Sequence, residues 1–266
     1  MGRIRRPPER IVEPQKVQNP GDMHEVQRPI RGLRDQPYTT RSEMTNRPTD
    51  LVTSLQTGLT SERLAPYLRA EGGNIDRALD LYEWNTQISA ALFADFSYFE
   101  VILRNACHRQ LQQWVARQNS TTPWYLYPAL SPRSADDVTK ARTRATRGRR
   151  QETEGRVVAE LMFGFWRFLH SRSYEATLWT PSLRHAYPHQ TPRRRSDVYN
   201  RLDHLNTLRN RIAHHEPIHG PTIGDTGKDI AALHDELLTI LKWIDPTIET
   251  WLRAHSTVPH TLQQRP

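Results

Sequence analysis

Apolar side chains in the central part of the chain recur every three or four residues, a spacing that places them on one face of an α-helix. The longest such series starts at Leu81 and ends at Trp114, and Asn74 stands in front of it as a candidate N-cap. Its other members are Trp84, Ile88, Leu92, Phe96, Phe99, Leu103, Cys107 and Leu111. The pattern predicts one long amphipathic helix, which Pro123 and the two threonines before it terminate.

Shorter apolar series on both sides of this helix predict further helices. A short one opens at Ser61 and ends at the glycine pair 72–73. Two more are expected within the basic stretch 135–153 and over 157–169, where apolar residues lie on nearly every side of the helix. Two others are expected from Asp197 to about Ile212 and from about 228 to 251, the last with a kink at Pro246. Residues 181–192 are expected to form a loop.

No stretch alternates apolar and polar residues as a strand does, and no internal repeat is visible. The predicted fold class is therefore all-α, an elaborated helical bundle over residues 51–254. Residues 1–50 hold seven of the 19 prolines, ten Arg or Lys and few large apolar side chains, so they are predicted to be a disordered basic arm. Residues 255–266 are predicted to be a polar tail.

Composition narrows the class of protein further. The 266-residue chain has a formal net charge of +8, 36% hydrophobic residues and a mean hydropathy of −0.76. No apolar run approaches the ~18–20 residues of a membrane span, and the Arg-rich start lacks the apolar core of a signal peptide. Cys107 is the single cysteine, which excludes an internal disulfide and a Cys-rich metal site. A cytoplasmic protein without membrane contact is expected.

Part of the positive charge is concentrated between residues 140 and 156, which hold seven Lys or Arg against two Glu. The side chains predicted to contact RNA phosphates are Arg142, Arg144, Arg147, Arg149 and Arg150. Basic side chains bind phosphates by displacing their counterions. Arginines 193–195 form a second basic group. Charge alone also fits a solvated helix face and a loop, so both interpretations stay open.

The densest polar sequence is 208–219, and its last five residues match the zinc motif H-E-x-x-H. That motif binds zinc only when both histidines lie one turn apart on a continuous helix. Pro217 stands between them and disfavours helical geometry at Glu216. The sequence therefore argues against a zinc site, and no metal or other cofactor is expected.

Two interpretations of the same residues remain. In the structural one, Arg209 pairs with a carboxylate such as Glu100, and the histidines stabilise a helix C-terminus. In the catalytic one, His214 transfers a proton and Arg209 binds oxygens of a phosphorane. Asn210 orients either His214 or the phosphate by a hydrogen bond. Arg209 and His214 are five residues apart, so the catalytic interpretation requires the helix to end near residue 213.

Arg209-Asn210 followed by His214 matches the HEPN-superfamily motif of an Arg, four to six residues and a His. Further stretches in the same order make the chain similar to the Abi-like (abortive infection) family of that superfamily. They are residues 81–85 (LYEWN), 99–105 (FEVILRN), 163–166 (FGFW), Trp179 and 208–218. The resemblance covers about residues 55–250. It implies a HEPN-type helical fold and a metal-independent endoribonuclease that leaves 2′,3′-cyclic phosphate ends.

The resemblance also implies roles for individual residues. Arg209, Asn210 and His214 would be catalytic, and His215 also satisfies the motif spacing. The upstream element of the family is matched by Glu100, Arg104 and Asn105, which are expected to support the catalytic residues. Glu100 could instead pair with Arg104 one turn away, a contact worth only ~0.3–0.5 kcal/mol when exposed. In a related HEPN branch a Tyr two residues after the His is modified, and Glu216 stands there in this chain.

Phage defence or a toxin-like growth arrest is the biological setting that the resemblance implies. A homodimer is expected, with Arg209 on an apolar stripe that would be buried between the subunits. A neutralising antitoxin or a phage trigger is left open as a further partner. The alternative is a non-catalytic RNA-binding or phage-sensing helical module that keeps the motif for folding.

Overall fold

The structure, a computed structural model, describes residues 47–127 and 129–266. Its α-helices are α1 (Thr49–Leu59), α2 (Ser61–Ala70), α3 (Ile75–Ala116), α4 (Pro132–Ala145), α5 (Glu154–Ala159), α6 (Phe163–Leu169), α7 (Arg195–Ala213), α8 (Ile230–Ile244), α9 (Pro246–His255) and α10 (Val258–Gln263). Short 3-10 turns and a π-helical turn at Glu175–Trp179 connect some of them. The described residues contain no strand, which confirms the all-α class.

Helix α3 is the centre of the bundle. It runs for 42 residues, or about 60 Å, and packs against α2, α6, α7, α8 and α10. The side chain of Asn74 accepts a hydrogen bond from the Arg77 amide at 3.1 Å, as predicted for an N-cap. Every member of the predicted apolar series is buried, so the period of three to four residues identified both the helix and its core face.

Two of the predicted helices are divided in the structure. The apolar stretch 157–169 breaks after Ala159 and resumes at Phe163. At the break Arg144 binds both the carboxylate and the carbonyl of Glu160, which satisfies a carbonyl that the helix end leaves without an intrahelical partner. The predicted last helix ends at Ile244, and Pro246 is the first residue of a new helix. The residue before a proline avoids helical geometry, and the Asp245 side chain caps the new helix at the Thr247 amide, 2.8 Å away.

The predicted boundaries of the helical domain are too narrow at both ends. The expected polar tail contains α10, where Val258 is fully buried and the Thr261 carbonyl accepts a hydrogen bond from Trp84 Nε1 at 2.8 Å. At the other end α1 begins at Thr49, and Arg47 forms ion pairs with Asp80 and Glu83. Residues 1–46, the rest of the predicted disordered arm, lie outside the described residues.

Helix α7 starts two residues before the predicted Asp197, and its apolar stripe does not face outwards. Its buried side chains are Val198, Leu202, Leu205, Leu208 and Ile212. They pack against the same chain's core, so the expectation that this stripe is buried between two subunits is wrong. None of the helices in the described part of the chain has the length and apolarity that a membrane crossing requires.

Candidate active site at the C-terminal end of helix α7

Helix α7 ends at Ala213, where the catalytic interpretation required it to end. The His215 amide donates to the Ile212 carbonyl at 3.0 Å, and the Glu216 amide donates to the Arg211 carbonyl at 2.8 Å. These two bonds define a Schellman motif, with His214 as the C-cap and His215 in the left-handed region at φ 56°. An ion pair of 3.0 Å between Arg211 and Glu216 stands where such motifs usually have an apolar contact.

Three other elements hold the backbone that follows the helix. Arg63 of α2 donates to the His215 carbonyl at 2.6 Å, and the buried Asn85 of α3 accepts from the Ile218 amide at 2.8 Å. Arg265, beyond α10, donates to the His219 carbonyl at 2.9 Å. The chain from His215 to His219 therefore has a fixed path, which would keep side chains projecting from it in defined positions.

Arg209 is bound by Glu100, as the sequence predicted. Arg209 Nε lies 3.2 Å from Glu100 Oε1, so the pair joins α7 to α3. Both side chains are partly open to solvent, with 23% of Arg209 and 29% of Glu100 exposed. The contact uses only Nε, and neither terminal nitrogen of the guanidinium has a partner among the described residues. Two forked donors therefore remain for a ligand.

The other residues of the upstream element have different positions. Arg104 donates to the Ala159 carbonyl at 3.4 Å and makes no ion pair with Glu100. Asn105 is exposed on α3, and its side chain makes no hydrogen bond to the described residues. The expected alternative pairing of Glu100 with Arg104 is therefore absent from the described residues, and Arg104 instead attaches α5 to α3.

The predicted catalytic side chains share one helix end and are accessible. Asn210, His214 and His215 are all exposed, and Arg209 is next to them in sequence and half-buried. No hydrogen bond between these four side chains is present in the described structure. The arrangement leaves two imidazoles, an amide and two guanidinium nitrogens available to a ligand, beside a helix C-terminus that favours positive charge.

The H-E-x-x-H residues do not lie on a helix. His215 occupies the left-handed turn, and the next four residues have no helical structure. The ring of His219 packs on Tyr67 at 4.8 Å between centroids, and burial lowers its pKa, with the positive charge of Arg265 adding to the effect. The described residues contain no group of three metal-ligating side chains. The two histidines therefore cannot form the helical zinc motif.

The basic stretch divides into two parts. Arg142 makes two hydrogen bonds to the Glu152 carboxylate at 2.9 and 3.1 Å, and Arg144 binds Glu160 at 3.0 Å. These contacts attach the segments after α4 to that helix. Arg142 and Arg144 are therefore occupied by carboxylates, and the expectation that they bind phosphates needs correction. The remaining three predicted phosphate contacts are exposed without an ion-pair partner in the described chain, namely Arg147, Arg149 and Arg150.

A buried polar cluster on α3 was not anticipated from the sequence. Asp95 Oδ2 accepts from His234 Nε2 at 2.8 Å and from Ser256 Oγ at 2.6 Å. Asp95 lies among the apolar positions Leu92, Phe96 and Phe99 of the α3 series. A carboxylate inside an apolar stripe is the signal that could have revealed it, because such groups are rarely buried without a partner.

A second cluster joins Cys107, His170 and Tyr187, all fully buried. His170 Nδ1 donates to the Trp166 carbonyl at 2.8 Å, so Nε2 is the acceptor for the Tyr187 hydroxyl, also at 2.8 Å. Burial raises the pKa of Cys107 to about 12 and lowers that of His170 to about 4. These groups are therefore neutral near pH 7 and have a structural role.

Comparison with protein-family models, with curated proteins and with solved structures found no match. A surface pocket of about 320 Å³ beside α1 and α3 is lined by Leu55, Leu79, Tyr82 and their neighbours, and holds no predicted site residue. That pocket is mainly apolar, whereas the end of α7 carries the accessible predicted side chains Asn210, His214 and His215.

Proposed function

We propose that this protein is a metal-independent endoribonuclease of the Abi-like type within the HEPN superfamily. The observation that supports this most directly is the end of α7. There a fixed backbone presents His214 and Asn210 to solvent, next to an Arg209 whose terminal nitrogens bind no other described residue. Phage defence or growth arrest is the role that the family resemblance suggests for it.

The proposed reaction uses the RNA's own 2′-hydroxyl as nucleophile. A bond forms between the 2′-oxygen and the adjacent phosphorus while the bond from phosphorus to the 5′-oxygen breaks. The proton lost by the 2′-hydroxyl is balanced by one gained at the leaving 5′-oxygen. His214 would carry out one of these proton transfers, which is worth typically ~10²–10⁴-fold in rate.

Arg209 would stabilise the negative charge of the phosphorane. A guanidinium that keeps its two terminal nitrogens can grip two phosphate oxygens at once. Glu100, which binds Nε at 3.2 Å, would hold that fork in position as a positioning residue. Asn210 would orient His214 or the phosphate by a hydrogen bond. No step requires a divalent ion.

A homodimer remains part of the proposal, but it needs a surface other than the apolar stripe of α7. Large apolar side chains are exposed on the middle of α3 and at the start of α6, near Glu100. They are Phe93, Tyr98, Val101 and Met162, with exposures of 51, 49, 42 and 59%. Residues 93, 97 and 101 lie one turn apart, so a second copy covering this face would bring its own α7 end close to the first.

The test is cleavage of total RNA by the purified chain in excess EDTA, with mapping of the cleaved ends. We expect cyclic-phosphate ends, and a loss of ~10²–10⁴-fold in single-turnover rate for His214→Ala. His260→Ala, which also removes an exposed histidine, is the matched control and should keep full activity. Expression of the active chain should arrest growth, and His214→Ala should relieve the arrest.

Strict dependence on added Zn²⁺ or Mg²⁺ would overturn the proposed mechanism. Binding of RNA without any cleavage, unchanged by His214→Ala, would instead favour the alternative of a non-catalytic RNA-binding or phage-sensing module.

A further inference from the structure

Three exposed arginines from separate parts of the chain meet around one short segment. Arg117 follows the end of α3, Arg184 belongs to the 3-10 turn Leu183–Ala186, and Arg193 precedes α7. We call these three residues the arginine cluster. Arg117 is far in sequence from the other two, so the fold brings it to them.

Hydrogen bonds to the segment 181–188 fix the cluster. Arg117 Nη2 donates to the Pro181 carbonyl at 3.2 Å, and Arg193 Nη2 donates to the Pro188 carbonyl at 3.0 Å. Arg184 Nε lies 3.4 Å from Nε2 of its neighbour His185, between these two prolines in sequence. Within the described part of the chain, each guanidinium thus makes one contact and keeps its other donors for a ligand.

The charge of the cluster is not neutralised within the described chain. No described carboxylate forms an ion pair with Arg117, Arg184 or Arg193, whereas the neighbouring Arg195 is paired with Glu175 at 3.3 Å. His185 experiences this field. Partial burial lowers its pKa, and the positive charges of Arg184, Arg193 and Arg117 lower it further. Converging positive charge with free forked donors is suited to phosphate groups.

The cluster lies beside the C-terminal end of α3 and the N-terminal end of α7, whereas the candidate active site lies at the middle of α3 and the C-terminal end of α7. Along α3, Glu100 and Arg117 are 17 residues apart in sequence, which corresponds to roughly 25 Å. Along α7, the interval from Arg195 to Arg209 corresponds to roughly 21 Å. Both estimates place the cluster about 20–25 Å from the candidate active site, too far for one nucleotide to reach both.

We propose that the arginine cluster is a second, non-catalytic binding site for the RNA substrate, where it holds phosphates of the strand beyond the cleavage point. This rests on the proposed ribonuclease function. RNA long enough to span both regions would be bound at two places, and a very short substrate would be bound at the end of α7 alone.

The experiment measures the Kd of a ~20-nucleotide single-stranded RNA against salt concentration, in the full chain with His214→Ala so that the RNA stays intact. The test variant adds Arg117→Gln, Arg184→Gln and Arg193→Gln. We expect binding weaker by on the order of tenfold at moderate salt, and a log–log salt slope reduced by about 2. A tetranucleotide should bind equally to both proteins.

A control for net charge carries Arg69→Gln, Arg77→Gln and Lys242→Gln, three exposed basic residues on α2, α3 and α8. It should change Kd less than twofold. Because Arg117 and Arg193 also hold the backbone, a second variant with Arg184→Gln alone removes charge without removing a tertiary hydrogen bond. It should still weaken binding severalfold while the thermal midpoint stays unchanged.

An unchanged Kd and salt slope in both cluster variants would overturn the second site, and so would an equal loss in the charge control. The result of this binding test can be distinguished from the result of the cleavage test of the proposed function. If the wild-type chain fails to cleave RNA, the ribonuclease proposal fails, whereas the binding measurements would still decide whether the cluster contacts RNA.

Discussion

Two carboxylates on helix α3, Asp95 and Glu100, are five residues apart and have very different surroundings. Asp95 and its partner His234 have side chains only 5 and 7% exposed, and Asp95 accepts a second hydrogen bond from Ser256. Glu100 has Arg209 as its single partner among the described residues, and both are partly open to solvent. The first cluster joins α3 to α8 and to the residue after α9. The second joins α3 to α7 at an accessible helix end.

The comparison shows that residue types alone do not identify a catalytic site. Ser256, His234 and Asp95 are the residue types of a hydrolase triad, but Ser256 and Asp95 both approach the same ring nitrogen, His234 Nε2. In a triad the serine and the aspartate contact different nitrogens, so that the imidazole can relay a proton. Here the hydroxyl donates to the carboxylate at 2.6 Å. In the buried cluster the His234 and Ser256 donors are satisfied by Asp95, whereas the terminal nitrogens of Arg209 have no acceptor within residues 47–127 and 129–266.

The largest effect on stability is expected from Asp95→Ala. It would remove the buried carboxylate that accepts from both His234 Nε2 and Ser256 Oγ, and leaving a buried donor unsatisfied costs about 1–3 kcal/mol. With two donors affected, we expect the free energy of unfolding in urea to fall by about 3 kcal/mol. Glu100→Ala, which breaks a partly exposed pair, should cost at most about 1 kcal/mol. Equal losses for the two variants would mean that both pairs are structural.

The next largest effect is expected in the cleavage rate of Glu100→Ala, which should change more than the stability of that variant does. If Glu100 holds Arg209 in position, Glu100→Ala should lower the single-turnover cleavage rate about tenfold, or about 1.4 kcal/mol, without a matching loss of stability. Glu100→Gln keeps an oxygen that can accept from Arg209 Nε, so it should restore most of the rate. A rate that is unchanged in Glu100→Ala would show that Arg209 needs no support from α3.

Local patterns predicted a large part of this structure. The apolar period located α3 and its core face, Asn74 and the glycines 72–73 marked helix ends, and Pro217 placed the end of α7. The Glu100–Arg209 contact was also predicted, because both residues belong to stretches that the family resemblance picked out. For the helix and its ends the signal lies within a few residues of the feature itself, whereas the contact between Glu100 and Arg209 joins distant segments and was predicted by pairing opposite charges.

The features that sequence missed depend on contacts between distant segments. The break after Ala159 is stabilised by Arg144 binding Glu160, and α10 is held by Val258 in the core and by Trp84 binding its backbone. The arginine cluster likewise needs three segments brought together by the fold. Propensity and period do not encode such contacts, because tertiary packing overrides local preference.

The smallest expected effect concerns His215, which stands at the position of the Schellman motif where glycine is preferred. A side chain in the left-handed region costs about 1–2 kcal/mol, and replacing it with glycine removes that cost. Glycine also gives the unfolded chain more conformational entropy, which offsets part of the gain. We therefore expect His215→Gly to raise the free energy of unfolding by about 0.5–1 kcal/mol, measured in urea. His215→Ala, which keeps a Cβ at the same φ, is the matched control and should bring no gain.

The same variant decides which of the adjacent histidines transfers the proton. If His214 does so, His215→Gly should keep the cleavage rate within a few-fold of wild type, because the backbone bonds at the end of α7 do not involve the imidazole. The His215 carbonyl that Arg63 binds is also retained. A loss in the range expected for His214→Ala would transfer the acid–base role to His215. The strain at φ 56° would then be retained because it positions a catalytic imidazole, which is where strained backbone is often found.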